Sequence, residues 1–309
     1  MGTYLLKRLL YLFPMSFIVV FFSGVMIHFI PGDPVDQIAG DFSSEQERRA
    51  IRKNMGLDQP VPLQVLYYFK GVIQGDLGHS LIDHRAVSEL ILERILPTVE
   101  LALTSIVLAC LVSIPLGAWA AVFKGSKIDS ILMLSSLIGL SMPSFLLGPL
   151  LILFFSVQMG WLPVSGRSGL SSIILPSIVL SSSLSASLLR MTKVSFLEQL
   201  GADYIRTARS KGLGEILIFT RHVFKNAALS ITTMIGLQFG ALVTGTIITE
   251  KVFDWPGLGT LIAESIERRD YPVVQGCVFT FSLFFLLTNL ITDLCYFGLD
   301  PRIRLARFD

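Results

Sequence analysis

The sequence predicts an all-α integral membrane protein with six transmembrane helices and a small helical extracytoplasmic insertion after the first. Three observations carry that prediction. Mean hydropathy is +0.67, with 52% hydrophobic residues. Only 16% of the 309 residues are charged, against roughly 25% in an average soluble domain. Six stretches are each long and apolar enough to cross a hydrocarbon core of ~30 Å, which takes about 20 residues.

The same figures exclude other classes. Intrinsic disorder is incompatible with so much apolar surface. A single soluble domain could not cover its exterior with so few charges. A secreted disulfide scaffold is excluded by 3 Cys in 309 residues. Cys110, Cys277 and Cys295 all fall in apolar stretches, without metal-ligand spacing, and read as small buried hydrophobes. A net charge of +2 gives no sign of a nucleic-acid partner.

The expected spans are Leu9–Ile30, Thr98–Phe123, Ile131–Val157, Ser172–Leu189, Leu229–Thr249 and Gln275–Phe297. The first follows Lys7 and Arg8, is too long for a signal-peptide core and lacks a small-residue cleavage site before Pro31, so it reads as retained. Pro143 and Pro149 predict a bend in the third. Six spans put both termini on one side. That side carries 14 basic and 7 acidic residues, the other 11 and 16. Lys and Arg favour the cytoplasmic side of short loops, so both termini are expected in the cytoplasm. The organisation is then 1–30, the N-terminus and first span; 31–97, an extracytoplasmic insertion; 98–298, the membrane core; and 299–309, a cytoplasmic tail.

The insertion is too long for a bare connection. Ser44 with Glu47 fits a capping box ahead of a helix over Glu45–Met55. Pro60-Val61-Pro62 opens a second helix, and a third is expected from about Ala86 to Ile95, stopped by Pro97. Between them lies the glycine-punctuated loop Gly75-Asp76-Leu77-Gly78-His79-Ser80. The insertion reads either as a cap over the spans or as a docking surface for an external partner.

Residues 190–228 hold seven Lys/Arg, yet they are not a plain solvated run. Phe196, Leu197, Leu200, Tyr204, Ile205 and Ala208 recur at helical spacing. Lys211-Gly212-Leu213-Gly214 breaks the pattern, and a second short helix is expected from Glu215 to about Val223. Two short amphipathic helices between two spans suit either a hairpin lying on membrane lipid or a knob that fits a groove in a soluble partner.

The run Asp203-Tyr204-Ile205-Arg206-Thr207-Ala208-Arg209-Ser210-Lys211-Gly212-Leu213 resembles the coupling-loop motif of ABC importer permeases. That motif has Glu-Ala-Ala, three residues, then Gly. Ala208 and Gly212 keep the spacing, while Arg206 and Thr207 stand in the first two positions, as in the peptide and nickel branch. Further stretches resemble the same branch: Pro31-Gly32-Asp33-Pro34, Gly56-Leu57-Asp58-Gln59-Pro60, Gly75-Asp76-Leu77-Gly78, Trp161-Leu162-Pro163, Glu250 to Gly259, Arg269-Asp270-Tyr271-Pro272 and Asp300-Pro301-Arg302-Ile303-Arg304. The ordered set covers nearly the whole chain.

The resemblance implies the type I importer permease fold and a non-catalytic subunit in the inner membrane of a bacterium. It also implies a second permease, two cytoplasmic ATPase subunits that hold the ATP and Mg, and an external solute-binding protein. Di- or oligopeptides lead as cargo, with nickel or glutathione as the alternative. No phosphate-cradling G-x-x-x-x-G-K-[ST] loop occurs in the sequence, in keeping with separate ATPases. Asp203, Tyr204, Arg206, Thr207, Ala208, Arg209, Lys211, Gly212 and Leu213 would form the ATPase-coupling loop.

Other residues remain open between packing and function. Gly236, Gly240 and Thr244 share small-residue spacing for close helix approach, within this chain or against a second permease. Ser181 and Ser185, among five serines on the fourth span, either bond their own backbone or line the pathway. Asp76, Trp255 and Pro256 are candidates for an outer gate or a binding-protein contact. His28, His79 and His84 lack ligand spacing, so no metal site is expected. An intramembrane serine hydrolase would need a His or Lys paired with those serines, and the nearest, Lys193 and His222, belong to the loop.

Overall fold

The structure is a computed structural model that describes residues 14–25, 35, 44–54 and 58–299. The ends of the first expected span, His28, Pro31-Gly32-Asp33-Pro34, Gly56 and the tail from Asp300 lie outside the described residues. The chain divides into two compact units, one built from 1–98 and 256–286, the other from 99–255 and 287–309.

In the first unit, α1 (Pro14–Val25) is an apolar helix within the first expected span. The helix α2 (Glu45–Asn54) starts as the capping box predicts. The Ser44 amide donates to the Glu47 carboxylate at 2.8 Å, and the Glu47 amide donates to Ser44 Oγ at 3.3 Å. The helix α3 (Val61–Ile73) opens on prolines, whose missing N–H groups cost nothing in a first turn. It packs on α1 through the rings of Phe17 and Phe69, 5.0 Å apart. After it, Gly75 and Gly78 turn the chain at φ of +80° and +86°.

The helix α4 (Val87–Val122) runs unbroken for 36 residues and passes straight through Pro97. This corrects the expected stop. The proline forfeits one backbone bond and strains its turn, at a cost of about 3 kcal/mol. Leu90, Ile91, Leu101 and Ala102, all buried, offset that at roughly 1.5–3 kcal/mol for each larger side chain. Thr98 also donates its hydroxyl to the Arg94 carbonyl at 3.4 Å.

In the second unit, α5 (Lys127–Ser141) is capped by Ser126, whose hydroxyl accepts from the Asp129 amide. The helix α6 (Ser144–Leu151) follows and continues as a π-helix over Ile152–Gln158. Together they cover the third expected span, but as a pair bent by 101° around Pro143, the geometry of a broken span or of a re-entrant loop. The bend is sharper than the sequence suggests, and it falls on one proline only, since Pro149 stays inside α6.

The helix α7 (Ile174–Leu200) carries the fourth span eleven residues past its expected end at Leu189. The short helix α8 (Asp203–Ser210) follows a two-residue break. Next, α9 (Glu215–Leu217) passes through a π-turn over Ile218–Val223 directly into α10 (Phe224–Phe253). The second short helix of the expected hairpin is therefore the leading end of the fifth span.

The connection after α10 holds a helix that the sequence reading treats as loop, α11 (Leu258–Glu267). Its Leu258, Leu261, Ile262 and Ser265 form a buried face too short for periodicity to announce. The last helix, α12 (Tyr271–Leu299), contains the sixth expected span. Val87–Val122, Leu170–Leu200 and Tyr271–Cys295 each have the length and apolarity to cross a membrane, and the bent pair makes a further candidate.

Candidate functional site

Residues 203–223 form a knob whose seat and outer face are chemically distinct. Ile205 and Ala208 of α8 are buried, as are Ile218 and Val223 of the following turn. They close onto Ala118 and Ala121 of α4, Leu188 and Phe196 of α7 and Ala227 and Ile231 of α10. Asp203, Arg206, Thr207, Arg209, Ser210, Lys211 and Gly212 face outward. One helix thus presents an apolar stripe at i and i+3 to the core and a polar face to solvent.

The turn after α8 is set by backbone geometry. The Leu213 amide donates to the Ala208 carbonyl at 3.3 Å, and the Gly212 amide to the Arg209 carbonyl at 2.9 Å. This is the Schellman arrangement, which requires a left-handed residue next to the helix end. Gly212 supplies it at φ +75°, with nothing within 4 Å of where a Cβ would sit. Its role is conformational freedom, not space. Leu213 packs back on the same apolar cluster.

Across that turn, Arg209 Nε donates to Glu215 Oε1 at 2.7 Å and its terminal nitrogen to Oε2 at 3.1 Å. This two-point bond holds the Glu215 carboxyl below its ordinary value of 4.5 and raises the Arg209 guanidinium. The Tyr204 hydroxyl donates to Gln199 Oε1 at the end of α7 and accepts from Asn226 Nδ2 of α10 at 3.2 Å. Arg206 lies 3.7 Å from Asp203, while Lys211 projects into solvent.

Behind the knob, Lys193 of α7 pairs directly with Asp129 at the start of α5. The two side chains are only 17% and 10% exposed, so the pair works where screening is weak. Asp129 also accepts from the Gly125 amide at 3.0 Å. Read from the sequence alone, both are loop charges. Their partnership spans 64 positions, and no local pattern announces such a contact.

The remaining candidates scatter. A Cβ on Gly236 would collide with the Thr292 side chain, so this position serves close packing of α10 on α12 within the chain. Gly240 is buried on the same helix, and the side chain of Thr244 lies outside the described residues. Ser181 donates to the Ile178 carbonyl at 3.1 Å. Ser185 is half-buried. A cleft on this helix is lined instead by Ser182 and Ser183.

Asp76 is exposed and accepts from the Gly78 amide at 2.8 Å. The Trp255 ring is 1% exposed, packed against Leu101, Ile173, Leu180 and Leu242. Its indole is thus part of a core, with no open surface to offer as an outer gate or binding-protein contact. Pro256 is half-buried. His79 and His84 join no group of three metal-ligating side chains among the described residues. Two stretches quoted separately in the sequence do meet: Ser80 Oγ donates to Asp270 Oδ2, and the Leu81 amide donates to Oδ1 at 3.2 Å.

Comparison with known proteins agrees with this architecture. Residues 113–305 match the family model of the binding-protein-dependent transport system inner membrane component. Residues 1–102 match the model of the N-terminal part of such membrane components. The chain is 43% identical over 304 residues to the glutathione transport system permease protein GsiC of Salmonella choleraesuis (strain SC-B67), covering 98% of this chain and 99% of that one. The same figures hold for GsiC of Escherichia coli (strain K12). Among solved structures, an inward-facing MetNI methionine ABC transporter chain aligns with a TM-score of 0.57 at 17% identity, covering 69% of this chain and 97% of its own. An amino acid ABC transporter crystallised with histidines aligns at a TM-score of 0.52 and 16% identity, covering 69% and 95%. At these identities the two structures support the fold alone.

Proposed function

Since the chain belongs to the family of inner membrane components of binding-protein-dependent ABC importers, we propose that it conducts small peptides, tripeptides of the glutathione type included, into the cytoplasm. It does so beside a second permease, powered by two separate ATPase subunits that bind the ATP and Mg. An external binding protein delivers the solute, and both termini face the cytoplasm. The full-length likeness to glutathione permeases supports the cargo class.

The observation that carries the coupling role is the two-faced knob at 203–223. Ile205 and Ala208 fix it to the core while Arg206, Thr207 and Lys211 stay exposed to a partner. Lever mechanics follow from continuity. The helix α7 enters the knob across two residues only, and α10 leaves it without a break. A displacement of the knob by closing ATPases therefore reaches two spans as rigid-body motion. The Asp129–Lys193 pair extends that motion to the third span.

Reconstitution in proteoliposomes tests this reading. The chain, its second permease, the ATPases and the binding protein should take up radiolabelled S-methylglutathione only with ATP inside and binding protein outside. Uptake of Ni²⁺ without the peptide would replace the cargo assignment. ATP-independent uptake would overturn the importer mechanism.

A further inference from the structure

Halfway along the third expected span, at the break between Ser141 and Ser144, the backbone leaves helical geometry. Pro143 has no N–H, so the Gly139 carbonyl loses its usual donor. Irregular backbone at membrane depth persists only where protein or water satisfies it, not against lipid. Here the break faces a cleft of about 320 Å³, walled by Leu140, Met142 and Pro143 at the break, Ser182 and Ser183 of α7 and Gln238 of α10. Gln238 stands near the middle of its 30-residue helix, so the cleft lies at mid-span.

Its volume is at the lower end of the roughly 300–1,000 Å³ typical of ligand pockets. Of its four polar side chains, Ser182 donates to the Val179 carbonyl at 2.7 Å, and the other three are open. Gln238, Ser183 and Ser144, all part of the lining, make no side-chain hydrogen bond to any described residue. Ser183 is exposed and Gln238 and Ser144 are half-buried, so an amide and two hydroxyls stand open on an otherwise apolar wall and are available to a ligand. No Asp, Glu, Lys or Arg lines the cleft, so it does not select by charge. Paired donor and acceptor groups on an apolar wall match the peptide amide, which also offers one of each.

We propose that this cleft is a solute-contact station of the transport pathway. Gln238, Ser183 and Ser144 exchange hydrogen bonds with the peptide amides of the passing solute, while Leu180 and Leu242 cover its apolar part. The proposal rests on the importer reading and adds to it the place in this chain where the cargo is felt. The serines highlighted from the sequence, Ser181 and Ser185, are not in the lining.

The test uses the assembled complex with Cys110, Cys277 and Cys295 replaced by Ser. Gln238→Cys and its neighbour Leu237→Cys, a side chain 57% exposed, are labelled with a charged, membrane-impermeant methanethiosulfonate. Cys at 238 should react about tenfold faster than Cys at 237, because water reaches only the cleft. The transported tripeptide, supplied with binding protein and ATP, should slow that labelling about threefold by occupying the polar groups. In uptake, Gln238→Leu should raise KM about tenfold and Gln238→Asn much less, since Asn keeps the amide.

Labelling at 238 no faster than at 237 would overturn the proposal, because lipid or the second permease then fills the cleft. Fast labelling that the tripeptide leaves unchanged, with wild-type KM in Gln238→Leu, would reduce the cleft to a structural water site and overturn it equally. In both cases wild-type uptake continues and the importer reading stands. Absence of ATP-driven uptake in the wild-type complex would overturn both.

Discussion

Gly212 turns the knob at a φ that side-chain-bearing residues avoid, with open space around it. Gly212→Ala is expected to destabilise the knob by about 1–2 kcal/mol, the usual left-handed penalty, and Gly212→Asn by less. Thermal unfolding of the purified complex checks the order Gly, Asn, Ala. If Ala were harmless, the turn would not depend on its geometry. The Arg209–Glu215 bond gives a pH signature. The carboxyl is lowered by its bond to Arg209, so its contribution is complete above the ordinary value of 4.5 and fades as pH falls through the lowered one. Glu215→Gln should abolish that acid-side loss and leave neutral-pH stability almost unchanged, because an exposed pair contributes little. A titration of knob stability, followed by proteolysis at Lys211, reads both.

At the scale of elements, the Asp129–Lys193 pair ties α5 to α7 with both side chains largely buried. Asp129→Asn leaves the partly buried Lys193 ammonium unpaired and is expected to lower thermal stability by less than the roughly 3–5 kcal/mol of a fully buried pair. The swap Asp129→Lys with Lys193→Asp should recover a large part of the loss in thermal stability, whereas a generic packing defect would not be rescued. The contact of α10 with α12 gives a steric counterpart. Gly236→Ala places a methyl against the Thr292 side chain, an overpacking worth roughly 1–3 kcal/mol. Thr292→Ala should relieve part of it, since the retained Cβ would still lie 2.8 Å away, a coupling that a double-mutant cycle in detergent measures directly.

These elements also mark what the sequence made legible. Helix ends marked by a cap, a proline or a glycine were readable, as at Ser44, Pro60 and Gly212, because the signal is local. Pro97 misled because a local penalty was outweighed by burial on both sides. The continuity of α9 with α10 was hidden by polar residues inside one helix. The Asp129–Lys193 and Ser80–Asp270 contacts join distant positions, and a single sequence carries no trace of such pairings. The cleft serines show the same limit: spacing identifies a serine-rich face, but only packing decides which serines meet empty space.

For the molecule as a whole, the proposed coupling role puts the ATPase subunits against the exposed face of 203–214. The seat is apolar, the outer face is polar, α7 ends two residues before it, and the helix that leaves it runs on into α10. A rigid lever of that kind predicts that charge reversal at Arg206 or Lys211 weakens ATPase attachment without unfolding the spans. The most direct measurement is amide hydrogen exchange of the purified permease pair with and without its ATPase subunits. Slower exchange should be confined to peptides covering 203–214 and their immediate flanks, with the loop at 75–80 unchanged. Equal exchange at 203–214 in the two states, with the ATPases demonstrably bound, would contradict the account.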